Sequence, residues 1–446
     1  METTLIYVLF GAFFLLLVMG APIAVSLAVA ALATYLTLGE NPLAFVQMAF
    51  TSVGAFPLMA LPAFILAGAL MEAAGISKRL VDIAEAFAGP MTGGLGAATV
   101  FACMFFGAIS GSGPATTAAV GMLMIPAMAK RGYSKGYASA VTASSGGLGV
   151  VIPPSIPMVI FGISGMGLQP PPEAVAMHGS FQTLSIPKLF IAGVVPGIVI
   201  ASFLLAINYF ISRKRGYRGL SDSWSYSGIW TALRKGFWSM LAPIIILGGI
   251  YTGLFTPTES AIVAIVYTLI VGIFIHKELL LKSALRTLET TTWISGRVLL
   301  ILFTATVFGR LLVENRVPAH IAEVMLSVTD NTYAIWAMII AFLLFVGMFM
   351  ETLAAIMILT PVLLPIMYML GMDPVHVGIV VVCALAIGFQ TPPLGENLFV
   401  ASGIGGSSIE EISVKALPFA AGSITAIFII AYFPQLSLWL PSIMGY

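Results

Sequence analysis

Charge is what this sequence has least of. Nineteen basic and 18 acidic side chains serve 446 residues, and charged residues make up 8% of the chain, against roughly 25% in an average soluble protein. So few charges cannot cover a body of this size in water, which excludes a water-soluble globular enzyme. The net charge of +1 gives no case for a nucleic-acid partner. Cysteine is nearly absent: Cys103 and Cys383 stand in apolar runs without metal-type spacing, so they read as small core residues. There is no GxxxxGK[ST] run, which argues against ATP hydrolysis on this chain and leaves an ion gradient as energy source. The four histidines, His178, His276, His320 and His376, are expected in separate loops, so no metal cluster is expected. An intramembrane enzyme finds no Ser/His, paired Asp or zinc constellation.

What the chain has is hydrocarbon-loving sequence, 59% hydrophobic with a mean hydropathy of +1.06. The start, residues 4 to 38, lacks a basic n-region and is too long for a signal h-region, so it is expected to stay as membrane helix. Runs near the ~20 residues that a span needs lie at 4 to 20, 22 to 38, 57 to 75, 188 to 211, 239 to 254, 256 to 275, 291 to 313 and 417 to 440. Four further apolar regions are interrupted. Regions 92 to 129 and 332 to 370 suit re-entrant hairpins, and 135 to 167 and 374 to 406 suit broken crossings. Glycine and proline, 45 and 26 residues, are plentiful for a helical protein, and they gather at these interruptions.

Basic loops stay on the cytoplasmic side, which places Lys78-Arg79, Lys130-Arg131, Arg213-Lys214-Arg215, Arg234-Lys235, Lys277 and Lys282 inside. The first hairpin then opens from the cytoplasm. The second, flanked by Asp330 and Asp373, opens from outside. A constant shift of 239 carries Pro126, Gly149 and Pro153-Pro154 onto Pro365, Gly388 and Pro392-Pro393. A shift of 241 carries the amphipathic set Ile76, Leu80, Ile83, Phe87 onto Val317, Ile321, Val324, Val328. Such apolar spacing suits two short helices lying at the membrane interface. The chain therefore reads as an all-α polytopic membrane protein of two inverted repeats, 1 to 235 and 236 to 446, which is the architecture of secondary transporters.

The breaks carry the chemistry. The first hairpin turns at Ser110-Gly-Ser-Gly-Pro114, with Thr116 following, and its crossing partner breaks between Ser144 and Ser155. The second turns at Met350-Glu351-Thr352, and its partner breaks between Gly388 and Gly395, with Glu396 and Asn397 next. Unwound backbone at membrane depth must be buried or line a watery cavity, where bare carbonyls coordinate a cation and half-helix N-termini attract an anion. Sodium and a carboxylate suit such a place. Glu351, a carboxylate at membrane depth, is a functional candidate by its cost alone, beside a cation or as a proton carrier. Gln390, Thr391 and Asn397 are candidate lining groups. Glu72, Arg297, Arg310 and Glu314 read as span-end residues that snorkel or pair, and Glu259 as a residue complementing a helix start.

These motifs resemble the large membrane subunit, the DctM-like permease, of TRAP transporters. The resemblance rests on Ser110-Gly-Ser-Gly-Pro-Ala-Thr116, Gly149-Val-Val-Ile-Pro-Pro-Ser155, Thr256-Pro-Thr-Glu-Ser260, Glu351 through Pro361, and Thr391-Pro-Pro-Leu-Gly395 through Phe399, in the family's order over essentially the whole chain. It implies sodium-coupled symport of a small organic acid across a bacterial or archaeal inner membrane. It also implies an elevator mechanism, a small four-helix DctQ-like membrane partner and a periplasmic DctP-like substrate-binding protein. Carried over by position, sodium would be held by Ser110, Gly111, Ser112, Gly147, Gly149, Val150, Glu351, Thr352, Gly388 and Thr391. Substrate would lie between these groups, against Ser112, Thr116, Ser155, Gln390, Thr391 and Asn397. Gln390 and Glu396 depart from the apolar residues expected of the family at those places. A stand-alone ion-coupled anion transporter or exchanger of related architecture is the alternative, and a channel is a more distant one.

Overall fold

The computed structural model describes residues 2–39, 59–219, 223–329 and 331–446, with a few single positions between 41 and 50. The expected start of a span at residue 57 and the flanking residue Asp330 lie outside the described residues. Among those described, eight helices are long and apolar enough to cross a membrane, or nine if a pair bent by 68° counts as one span.

The same order of parts occurs twice. Helices α1 (Glu2–Val18) and α2 (Ile23–Leu38) lead to α3 (Ala60–Ala73), which turns at Gly75 into the amphipathic α4 (Ile76–Ala88). A hairpin follows, α5 (Gly94–Ser110) and α6 (Gly113–Lys130). Next comes a broken helix made of α7 (Lys135–Gly146), the single turn α8 (Leu148–Val151) and α9 (Ile156–Met166). After the short α10 (Pro172–His178), the long α11 (Ile186–Arg215) closes this half.

The second half opens with α12 (Tyr226–Tyr251) and α13 (Pro257–Ile270), the latter ending in a π-turn at Val271–Ile275. The 34-residue α14 (Leu281–Glu314) then leads into α15 (Val317–Val328). The hairpin is α16 (Thr332–Phe349) and α17 (Thr352–Met369), and the broken helix is α18 (Pro374–Gly388) and α19 (Glu396–Gly405). Helix α20 (Ile409–Tyr432) and the short α21 (Gln435–Ile443) finish the chain. Helices α6 and α17 are both 18 residues long and start 239 positions apart, the shift read from the prolines. The expected division between 235 and 236 falls inside α12, which runs unbroken through it.

Several ends differ from expectation for local reasons. The span expected at 417 to 440 is two helices, because Phe433-Pro434 interrupts it and proline supplies no N–H for the helix ladder. The span expected at 291 starts ten residues earlier, at Leu281, on the polar sequence Lys282 to Thr292 that a hydropathy ruler discards. Three histidines expected in loops are helical: His178 ends α10, His320 lies in α15, and His376 lies in the first turn of α18. His376 is buried, with Ser437 Oγ at 3.3 Å and the Ala431 carbonyl at 3.2 Å. Of the two amphipathic sets, which suit the membrane interface, Ile76, Leu80, Ile83 and Val317 are buried inside the protein. Phe87, Val324 and Val328 are exposed.

The broken helices form the core. Every residue of α18 is buried, as is every residue of α7 beyond Lys135, which fits α18 being apolar on all sides. The outer helices expose Phe14, Trp230, Trp293 and Phe345. Exposed apolar surface of this kind suits lipid. The halves interlock, because α19 of the second lies against α6 and α7 of the first, and α9 of the first lies against α17 of the second. The helix ends at the breaks are thereby brought to one place.

Candidate functional site: a cavity between two hairpin tips

Each hairpin tip is set by local chemistry. Helix α5 ends on Gly111, whose φ of +62° only glycine adopts freely. Ser112 and Gly113-Pro114 then start α6, with proline at a position where its missing N–H costs nothing. Ser110 Oγ lies 2.8 Å from Thr116 Oγ1, which donates to the Ser112 carbonyl at 2.7 Å. The Ile156 amide donates to the Gly111 carbonyl at 3.3 Å, so the tip is fastened to the break of its own broken helix. In the second hairpin Glu351 precedes α17 at the N-cap position, where its side chain makes no capping bond.

A cavity of about 670 Å³ lies between these tips. Its walls are Ser110 to Ala115 of the first tip, Val150, Ile156 and Pro157 of the first break, Glu351 to Leu353 of the second tip, and Phe389 and Glu396 of the second break. Helices α3 and α14 close the remaining side. They contribute Gly68, Glu72, Arg286, Thr287, Thr290 and Thr291. Arg286 is the one basic residue in this wall, with Glu72, Glu351 and Glu396 the acidic ones. Glu351 and Glu396 stand within electrostatic range of each other and of Arg297.

Of the residues assigned to sodium or substrate by the resemblance, the cavity wall holds Ser110, Gly111, Ser112, Val150, Glu351 and Thr352. The others stand behind it. Thr116 is buried in the hydrogen bonds of the first tip, and Ser155 caps α9 by accepting from the Met158 amide at 3.3 Å. Thr391 bonds back to the Ile387 carbonyl at 2.7 Å. The Gly147 and Gly388 carbonyls accept from the Val150 and Thr391 amides at 3.1 and 3.0 Å, so the breaks are closed by local turns. Gly149 packs against the hairpin helix at Gly107. Buried Gln390 donates to Ser423 Oγ at 2.7 Å, and buried Asn397 donates to the Ala143 carbonyl at 3.2 Å.

A second feature belongs to this inner layer. Thr117 Oγ1, Ser144 Oγ, Ser145 Oγ, Thr352 Oγ1, Gln390 Oε1 and Asn397 Oδ1 are buried oxygens without a hydrogen-bond partner. Three of these side chains meet one glycine-rich turn: a side chain at Gly146 would collide with Thr117 Oγ1 and meet Asn397 Nδ2, and one at Gly147 would lie 3.2 Å from Gln390 Oε1. Leaving such a group unsatisfied costs about 1–3 kcal/mol, so several in one place favour a cation held by neutral oxygens. These donors fit a hard monovalent ion in chemistry, and they come from both repeats.

Sequence reading missed the α3 and α14 walls. Glu72 lines the cavity as well as sitting near a span end. On α14 the signal is visible in retrospect: Ser283, Arg286, Thr287, Thr290, Thr291, Ile294 and Val298 follow one helical face, but the ruler that began the span at 291 cut most of it away. Arg310 pairs with Glu314 at 2.7 Å as a span-end couple, and Thr256 with Glu259 forms a capping box.

Comparison with known proteins bears on the whole chain. The family model described as "Tripartite ATP-independent periplasmic transporter, DctM component" matches residues 10–436. The chain is similar to the isethionate TRAP transporter permease protein DctMQ of Oleidesulfovibrio alaskensis, at 45% identity over 433 residues, covering 97% of this chain and 66% of that protein. It is 36% identical over 442 residues to the C4-dicarboxylate TRAP transporter large permease protein DctM of Rhodobacter capsulatus, covering 98% and 99% of the two. It is 34% identical over 440 residues to the sialic acid TRAP transporter permease protein SiaT of Haemophilus influenzae, covering 98% and 68%. Its fold is similar to the crystal structure of the Alcanivorax borkumensis YdaH transporter, with a TM-score of 0.63 at 13% identity over 90% of this chain and 88% of that one.

Proposed function

Because the chain belongs to the DctM family, the large permease component of the tripartite ATP-independent periplasmic transporters, we infer that it moves a small organic acid inward together with sodium. The observation that carries this reading is the cavity walled by both hairpin tips and both helix breaks, backed by buried, unpartnered oxygens from the two repeats. Bound sodium offsets the charge of the acid, so that the loaded site crosses without a bare carboxylate meeting lipid.

In this reading the two halves are inverted repeats. The hairpins and broken helices move as a transport body against α3, α14 and the other outer helices, in the manner of an elevator. Ser112 and the start of α6 receive the acid group through backbone N–H groups and a hydroxyl. Neutral oxygens at Ser110, Thr117, Gln390 and Asn397, with the carbonyls of the Gly147 and Gly388 turns, hold sodium. Glu351 supplies the fixed negative charge beside it. The relatives named for isethionate, C4-dicarboxylates and sialic acid are all named for acids, which supports an acid as cargo. A small DctQ-like membrane subunit and a periplasmic DctP-like protein that delivers the substrate complete the system in an inner cell membrane.

The test is uptake of candidate acids into proteoliposomes containing the chain, the small subunit and the binding protein, with sodium and proton gradients imposed separately. Sodium-driven uptake supports the reading. Uptake that ignores sodium and follows pH would make Glu351, which faces the cavity, a proton carrier. Uptake by the chain alone would make it a self-sufficient transporter.

A further inference from the structure

The cavity has two ends, and α14 measures the distance between them. Its wall runs from Ser283 to Val298 along that helix, about 22 Å at 1.5 Å per residue. One end is at the hairpin tips, where Arg297 is in electrostatic range of Glu351 and Glu396. The other end is at the loop between α13 and α14. There Arg79 joins Glu278 at 2.9 Å, the Ala74 carbonyl lies 3.0 Å from His276 Nδ1, and Glu278 crowds Gly75. The α3–α4 elbow and this loop therefore share one membrane side. Lys78, Arg79, Lys277 and Lys282 all fall there, which makes it the cytoplasmic side.

Two opposite charges line that cytoplasmic end. Arg286 lies one turn beyond Lys282 on α14, and Glu72 lies one turn before the elbow on α3. Neither side chain has a hydrogen-bond or ion-pair partner among the described residues. Hydroxyls of Thr287, Thr290 and Thr291 lead from this mouth inward along the same face. Thr290 and Thr291 bond back to their own helix, and the charged groups of the mouth are Arg286 and Glu72.

We propose that Arg286 and Glu72 are a pair of opposed affinity-setting residues at the cytoplasmic mouth: Arg286 holds the departing organic anion, and Glu72 repels it. Between them they fix how readily substrate leaves, or re-enters from, the cytoplasm. The cavity tips set binding of the cargo that the elevator carries, whereas this pair acts only when the cavity opens inward. The inference rests on the acid-transport reading above.

The experiment measures substrate inhibition from the inside. Proteoliposomes carrying the complete transporter are loaded with increasing concentrations of the transported acid, the binding protein is supplied only outside, and initial uptake is followed. Arg286→Gln is expected to raise the internal concentration for half-inhibition about two- to fivefold, the size typical of exposed charge interactions. Glu72→Gln is expected to lower it by a similar factor, and Arg286→Lys to stay near the parent value. The external KM should change by a smaller factor than the internal half-inhibition, and added salt should shrink the differences. A structural defect cannot shift two neutralising variants in opposite directions on one side only. Equal shifts in the same direction, or none, overturn the proposal. If uptake follows protons instead of sodium, the same internal measurement applies. Absence of uptake by the parent protein with any acid counts against the functional reading itself.

Discussion

Asn397, in the second repeat, donates a hydrogen bond to the Ala143 carbonyl of the first at 3.2 Å, so the two broken helices are tied together beside the turn at Gly146. The bond from Nδ2 fixes a side chain whose oxygen, Oδ1, is left without a partner and buried. The residue is therefore both a tie between the repeats and an oxygen donor of the proposed ion site. Replacing it by Leu removes the bond to the buried Ala143 carbonyl, a loss of about 1 kcal/mol. Asn397→Leu is therefore expected to lower the melting temperature in detergent and to weaken sodium protection against melting. Unchanged sodium protection would remove Asn397 from the ion site.

Glu351 tests the charge logic of the cavity. Its side chain lines the open space and caps nothing, so Glu351→Gln should leave the melting temperature within about 1 kcal/mol of the parent in stability terms, as substitutions away from packed features do. Uptake should fall at least tenfold. Uptake retained in full by a normally folded Glu351→Gln protein would rule out a fixed charge there.

Gln390 and Ser423 join the second break to α20 through a bond of 2.7 Å between buried side chains. Ser423→Ala alone strands a buried amide N–H and should cost about 1–3 kcal/mol. Gln390→Leu together with Ser423→Ala should cost less than the sum of the two single changes, because the stranded partner is gone. A double-mutant cycle on thermal unfolding measures this. Additive losses would show that the pair is uncoupled.

Gly347 and Gly388 mark where the second hairpin crosses its broken helix. A methyl group on Gly388 would come within 2.7 Å of the Gly347 Cα, which is backbone and cannot swing aside. Gly388→Ala should destabilise by about 1–3 kcal/mol and reduce uptake. Gly403, where an added methyl group meets nothing within 4 Å, is the control, and Gly403→Ala should transport normally.

Thr256 offers a contrast outside the site. Its capping box with Glu259 satisfies the start of α13, so Thr256→Ala should cost about 1 kcal/mol of stability and leave sodium dependence and KM unchanged. A changed sodium dependence would mean that this helix start takes part in transport.

The sequence by itself determined the solvent, most of the helices, the repeated order of parts and the location of the breaks. Low charge and long apolar runs leave hydrocarbon as the only medium in which the chain can bury its surface. Each proline removes a backbone donor; single prolines such as Pro126 and Pro365 stay inside helices, whereas the paired Pro153-Pro154 and Pro392-Pro393 stand where the helices break. Ser110, Ser112, Glu351 and Thr352 reach the cavity wall at the two hairpin turns, which the sequence marks by polar residues within apolar runs.

Only the tertiary structure decided which polar groups face open space and which face one another. Thr116, Ser155, Gln390 and Asn397 carry the same side-chain chemistry as lining residues, yet helix packing turns them into the wall's support. Conversely, Glu72 reads along the chain as an ordinary span-end charge, and Arg286 falls before the span expected from 291. They become part of the cavity because α3 and α14 lie against the hairpin tips. Side-chain type and spacing are local properties, whereas facing a shared space depends on contacts between residues more than 200 positions apart, which no local pattern encodes.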